Sequence, residues 1–235
     1  MPAGLFGKLP AKRDFIATMA PRRFLDAWEP WLQTSLAASR YALGASWSDY
    51  YNRAPLWRFW LGPGLRGDTT VGVVMSSVDG VGRAFPLTLL STGNELPPPP
   101  PEIESNDKWF EAAEALLLSA LDSGASFEQL AGAAAALPAP ALLAADNVVE
   151  GIEELPDRAV VARVRDAHFG EAFERSRRFG GARYDSLSFW WTIGGEGFPP
   201  IALSVAGLPS AERFADMLTG VFGASRTDGG EGHDA

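Results

Sequence analysis

The sequence predicts an α/β protein, a three-layer αβα sandwich around a central mixed, largely antiparallel sheet. Three patterns carry that expectation. β-branched and aromatic runs lie on both sides of a proline tract, at 56–61, 70–76 and 85–91 before it and at 187–193 and 201–205 after it. Apolar residues recur at helical spacing near the start, just after the tract and at the end. Helices that both precede and follow the strands belong on the two faces of one sheet.

The elements follow in order. Residues 5–9 form a short extended segment that Pro10 stops. Pro21 opens a helix, where its missing N–H costs nothing. Phe24, Trp28, Trp31, Leu32, Leu36 and Leu43 make its apolar face, and Pro30 inside it should kink or split it. A short helix over 46–51 presents Trp47, Tyr50 and Tyr51. The three closely spaced strands that follow suggest an antiparallel meander. Five consecutive prolines, Pro97 to Pro101, hold extended polyproline geometry and cannot join a sheet or helix. They read as a stiff surface loop within one domain over 1–223; a domain linker or a ligand for a proline-binding module are the alternatives.

A helix over 107–121 buries Phe110, Ala113, Leu117 and Leu121. Ser126-x-x-Gln129 has the form of a capping box and starts another. Residues 159–164 suit a strand, and 168–178 an exposed helix ending at Gly180-Gly181. Residues 187–193 and 201–205, joined by a glycine-rich loop, form a hairpin. Ser210 caps a final helix that buries Phe214, Met217, Leu218 and Val221. The stretch 224–235 is Gly, Asp and Glu with no large apolar residue, the composition of a disordered acidic tail.

Composition excludes several function classes. At 235 residues with 46% hydrophobic and 21% charged, the chain builds a full core without metal or disulfide. Cysteine is absent, so no thiolate zinc site, Fe–S cluster or cysteine nucleophile exists. A net charge of −9 disfavours nucleic-acid binding. Only two histidines, His168 and His233, are present, which argues against a histidine metal centre and a Ser-His-Asp triad. No Gly-x-Ser-x-Gly elbow occurs. No targeting segment or membrane-length apolar run is visible, so the chain is expected to be cytoplasmic, without membrane insertion. No cofactor or metal is expected.

Chemistry concentrates in a few charged residues set among apolar ones. Lys8, Arg13 and Asp14 lie in Gly4-Leu5-Phe6-Gly7-Lys8-Leu9-Pro10-Ala11-Lys12-Arg13-Asp14-Phe15. A buried charge needs a partner, and Lys8 with Asp14 can pair across the Pro10 turn, either as a structural ion pair or in a binding role. Ser77-Val78-Asp79-Gly80-Val81-Gly82-Arg83 suits a β-turn with an Asp–Arg clamp; without a following helix its Gly-x-Gly is no phosphate loop. Arg58 alternates with Trp57, Phe59 and Trp60, sharing a face with Trp60 and within reach of Asp79 or Asp14. One network of Lys8, Asp14, Arg58, Asp79 and Arg83 is the expectation. Trp190 and Trp191 point to opposite faces, and one of them is a candidate partner-contact aromatic unless a helix covers it.

Those residues also carry a resemblance. Gly4-x-Phe6-Gly7-Lys8-Leu9-Pro10 and Arg13-Asp14-Phe15, with Trp28-x-x-Trp31-Leu32, Ser39-Arg40, Ala54-Pro55-x-Trp57-Arg58-Phe59, Gly72-Val73-x-Met75 and 77–88, resemble the TagF (ImpM) family of type VI secretion accessory proteins. Past the prolines the resemblance thins to Ser188-x-Trp190-Trp191, Gly207-Leu208-Pro209, Phe214 and Met217-Leu218; 97–180 offers no motif to quote for it. The resemblance implies an αβα domain without enzymatic activity. It also implies post-translational repression of a type VI secretion system through its forkhead-associated scaffold protein. Some relatives carry a fused phosphatase domain, for which this chain is too short. The alternative is a small-molecule- or metal-dependent enzyme using the Lys8, Asp14, Arg58, Asp79 and Arg83 cluster.

Overall fold

The computed structural model describes residues 3–93, 98, 100–102, 104–122, 124–140, 150–156, 159–163, 169–170, 173 and 184–223. Nine strands form one sheet: β1 (Gly4–Gly7), β2 (Ile16–Thr18), β3 (Trp57–Leu61), β4 (Thr69–Met75), β5 (Leu87–Gly93), β6 (Glu150–Glu154), β7 (Val160–Arg163), β8 (Leu187–Thr192) and β9 (Ile201–Ala206). Their order is β2-β1-β5-β4-β3-β8-β9-β7-β6. Every pairing between neighbours is antiparallel, so the described sheet has no parallel component. The predicted meander is β3-β4-β5, and the predicted hairpin is β8-β9.

Strands from both sides of the prolines share this sheet, and the two groups meet at one seam, β3 against β8. Arg58 aligns there with Trp191, Phe59 with Trp190 and Trp60 with Phe189. Alternation along β3 then divides the core. Trp60, Phe189 and Trp191 face helices α4 (Asp107–Ser119) and α5 (Phe127–Ala136). Trp57, Phe59 and Trp190 face α1 (Arg22–Leu43), α2 (Trp47–Arg53) and α6 (Ala211–Thr219). A single turn, α3 (Pro63–Arg66), follows β3. The result is the three-layer sandwich.

Local chemistry sets the element ends. Ser126 accepts from the Gln129 N–H while the Gln129 side chain accepts from the Ser126 N–H, a complete capping box. Ser210 accepts from the Arg213 N–H at the start of α6, and Gly220 closes that helix in the left-handed region. Gly72 makes room within the sheet: a Cβ there would overlap the Phe59 ring and the Leu89 carbonyl.

Three expectations need correction. Helix α1 runs unbroken through Pro30. Losing the bond to the Asp26 carbonyl, with the ring clash, costs ~3 kcal/mol. Burying Phe24, Trp28, Leu32 and Leu36 on one sheet face outweighs that, at ~1.5–3 kcal/mol for each large side chain. Leu121 and Val221, expected on buried helical faces, are exposed. Both lie beyond the last turn of their helices, where 3.6-residue spacing no longer places a side chain.

The described prolines pack inward rather than standing clear of the sheet. Pro98 and Pro101 are buried, and the Trp60 indole donates to the Pro98 carbonyl at 2.9 Å. The helix expected over 168–178, His168 and His233, and the tail 224–235 lie wholly or mostly outside the described residues.

Candidate functional site

Asp79 sits at the end of a return loop between β4 and β5, which the Val78–Ala84 bridge holds closed. Its Oδ1 accepts from the backbone N–H of Val81 at 3.1 Å and of Arg83 at 2.9 Å, the self-bonding geometry that makes Asp a turn residue. Its Oδ2 meets the Lys8 ammonium at 3.0 Å and the Arg83 Nε at 2.6 Å. Burial works to raise the Asp79 pKa. The Arg83 N–H, the Lys8 ammonium, the Arg83 side chain and the Val81 N–H together outweigh it and hold the carboxyl well below the usual carboxylate range.

The cluster also ties the N-terminal segment to the meander. Arg83 Nη2 donates to the Arg13 carbonyl at 2.7 Å, and the Gly80 N–H to the Lys12 carbonyl at 2.8 Å. Ser77 Oγ donates to the Lys8 carbonyl at 2.8 Å. The Tyr51 hydroxyl donates to the Ser77 carbonyl and accepts from the Ser77 N–H, at 2.9 and 3.1 Å. Burial pushes the Tyr51 phenol above its ordinary value. Gly7 belongs to this junction: at φ 133 its backbone lies against Pro86, where a Cβ would overlap the Pro86 carbonyl.

Around this turn the protein presents Phe15 and Val81 to solvent, 48% and 57% exposed, with the Arg83 guanidinium. Phe15 packs edge-on against Phe85 and lies under the Lys8 ammonium, 5.2 Å from its centroid.

The single five-residue network does not form. Lys8, Ser77, Asp79, Arg83 and the Arg13 main chain converge; Arg58 and Asp14 are elsewhere. Asp14 is exposed, and Lys8 takes Asp79 as its partner in its place. Arg58 aligns through Val73 and Leu89 with Leu5, three strand spacings away, or ~14 Å. It faces α4, while Lys8 lies on the side of Phe6, Phe15 and Phe85. Arg58 Nε and Nη2 bind Glu114 at 2.7 and 2.8 Å, Nη1 reaches Asp107 at 3.4 Å, and the guanidinium lies over Phe110. The constellation that an enzyme reading drew on is therefore split between two sites.

Trp190 and Trp191 also need correction, because both are buried. Trp190 stacks on Trp28 beneath α1, and Trp191 packs edge-on against Phe110 of α4. Each face of β8 is covered by a helix, so neither indole is open to a partner. The abundance of tryptophan has an internal cause. Six indole N–H groups, of Trp28, Trp31, Trp47, Trp57, Trp60 and Trp190, donate to Thr88, Pro209, Ser39, Met217, Pro98 and Ser188. Trp28, Trp57 and Trp60 thereby join α1, α6 and the proline tract to the sheet, while Trp31 ties α1 to the loop before α6, Trp47 ties α2 to α1, and Trp190 bonds within β8.

Glu114 and Asp107 were missed as site residues. The signal was present: both occupy the helical face that carries Phe110 and Leu117, and an acid on a core stripe needs a cation. Nothing in the sequence marks Tyr51 as the partner of Ser77. Among the described residues no group of three or more His, Cys, Asp or Glu is placed to hold a metal, and no helix is long and apolar enough to cross a membrane.

An antiparallel sheet between helical layers, with an ion-paired turn locking its N-terminal strand, defines an αβα protein whose charged motif residues are largely satisfied internally. Residues 4–137 match the family model of the TagF N-terminal domain, described as type VI secretion system-associated. The chain belongs to that family. It is similar to the crystal structure of PA0076 from Pseudomonas aeruginosa PAO1, with 34% identity, a TM-score of 0.71, and coverage of 96% of this chain and 97% of that one. No curated protein matches it. The chain is accordingly a type VI secretion system-associated protein.

Proposed function

We propose that this protein restrains a type VI secretion system after translation, in the cytoplasm, by protein contact and without catalysis of its own. Its partner in this reading is the system's forkhead-associated scaffold protein. The observation that carries the reading is the Asp79 turn. Its carboxylate is held by two cations and two backbone N–H groups, leaving a rigid platform that exposes Phe15, Val81 and Arg83. Aromatic and arginine anchors on a fixed surface concentrate interface energy, at ~2 kcal/mol or more each on truncation.

The test follows secretion of the system's tube protein in cells overproducing the chain or its Val81→Asp variant. Wild type lowers secretion while the amounts of the system's components stay constant. Val81→Asp, an exposed substitution, restores secretion and loses capture of the scaffold protein with an unchanged melt. Unaltered secretion on overproducing the wild type would sink the repressor reading. Full repression by Val81→Asp and by Phe15→Ala would remove this surface from it.

A further inference from the structure

The Asp79 turn holds a surplus cation at the protein surface. One carboxylate answers two cations there, Lys8 at 3.0 Å and Arg83 at 2.6 Å. The Lys8 side chain is 9% exposed and the Arg83 side chain 62%, so the surplus charge meets solvent at Arg83. Arg83 is also pinned from two sides. Its Nε donates to Asp79 Oδ2, and its Nη2 to the Arg13 carbonyl at 2.7 Å. Its Nη1 has no hydrogen-bond partner among the described residues. A guanidinium carries its N–H donors in a rigid fork that matches a carboxylate. An exposed arginine ordinarily loses rotamer freedom on binding, and one already pinned loses little.

Neither nearby acid closes the open Nη1. Asp14 is exposed and makes no ion pair among the described residues, and Glu128 pairs with Lys12 at 3.3 Å. Apolar surface lies alongside. Val81 is two residues from Arg83, and Phe15 is two residues from the Arg13 whose carbonyl Arg83 binds. Phe15 is held by the Phe85 ring at 4.8 Å, and Val81 by the bond from its N–H to Asp79 Oδ1.

We propose that the Asp79 turn receives an acidic segment of the partner protein, with one aspartate or glutamate on the open edge of Arg83 and a neighbouring apolar side chain against Phe15 and Val81. This rests on the reading of the turn as a contact surface and adds the chemistry that the partner brings to it. Charge complementarity names the occupant. Lys8, Lys12, Arg13 and Arg83 stand here against Asp14, Asp79 and Glu128, and the cation left over is the one with a free edge. A basic segment would find its like charge fixed in place. The whole chain carries −9, so the attraction is local, acting within a Debye length of ~8–10 Å, and does not steer the partner from afar.

The full chain, labelled with nitrogen-15, is titrated with acetyl-Glu-Leu-Glu-amide while its backbone N–H and arginine Nε–H signals are followed. The Val81, Gly82 and Arg83 signals shift saturably. Acetyl-Gln-Leu-Gln-amide keeps the shape without the charge, and acetyl-Glu-Gly-Glu-amide keeps the charge without the apolar side chain. Each binds roughly tenfold or more weakly. Raising salt from ~0.05 to ~0.5 M weakens the acidic peptide severalfold, as screening of an exposed pair requires. Val81→Asp, at an exposed turn position, abolishes the shift. No saturable shift, an equal response to the glutamine or the glycine peptide, or full binding by Val81→Asp would each overturn the proposal. Unaltered secretion on overproducing the chain would sink the repressor reading and leave this titration standing. A failed titration would remove the acidic segment and leave repression by contact standing.

Discussion

Arg58 and Glu114 form two parallel hydrogen bonds, of 2.7 and 2.8 Å, between the middle strand of the sheet and the helix above it. Both are buried, so removing one partner strands the other charge. Glu114→Ala lowers the unfolding free energy by ~3–5 kcal/mol in urea titration. Arg58→Met with Glu114→Leu recovers most of that loss, since an apolar pair of similar volume strands no fully buried charge, and Asp107, part-exposed, keeps the Ser105 hydroxyl as a donor. A double variant as unstable as the sum of the singles would contradict this.

Asp79 links stability to acid. Its folded-state carboxyl lies below the ~3.9 of an unfolded aspartate, so its stabilising contribution is complete above that value. The contribution drains away as pH falls below it towards the folded-state value. The gap in urea midpoint between wild type and Asp79→Asn is therefore constant at neutral pH and narrows below ~pH 4. A gap that stays constant into acid would show that Asp79 does not carry this linkage.

Tyr51 supplies the opposite limb. Its folded-state pKa is raised by burial, so its contribution is complete below ~10 and is lost as pH rises through the folded value. The phenolate absorbance of Tyr51, taken as the difference between wild type and Tyr51→Phe, appears only as the fold is lost in alkali. Ionisation in the intact protein would contradict the hydrogen-bonded burial against Ser77.

Trp190→Ala acts on the core. The residue is fully buried against Trp28, Trp31 and Phe59, and truncation leaves a cavity between α1 and the sheet. Denaturant unfolding should register a loss of ~3–5 kcal/mol. A melt matching wild type would mean that the indole is not in the core.

Local order was legible where it depends on neighbours in sequence. Pro21 before α1, the Ser126–Gln129 box, the Ser210 cap and the alternation of Trp57, Arg58, Phe59 and Trp60 all follow from spacing. Partner choice was not legible, because it depends on strand order. Lys8 finds Asp79 only because β1 pairs with β5, and Arg58 finds Glu114 only because α4 packs on that face of the sheet, over β4 and β5. Whether Trp190 and Trp191 are covered likewise depends on helices distant from β8 in sequence, α1 and α4. Pro30 was misjudged for a related reason: a local penalty was weighed without the sheet that overrides it.

The β3–β8 seam bears on where this chain can be cut. The family match ends at 137, while β8 begins at Leu187. A fragment stopped at 137 would carry β3 with one side bare. Its Arg58–Leu61 backbone would lack the partner that β8 supplies, and a strand buried on both faces would become an open template for other chains. During synthesis the same strand waits more than a hundred residues for its neighbour, which makes it the segment most in need of shielding until β8 arrives.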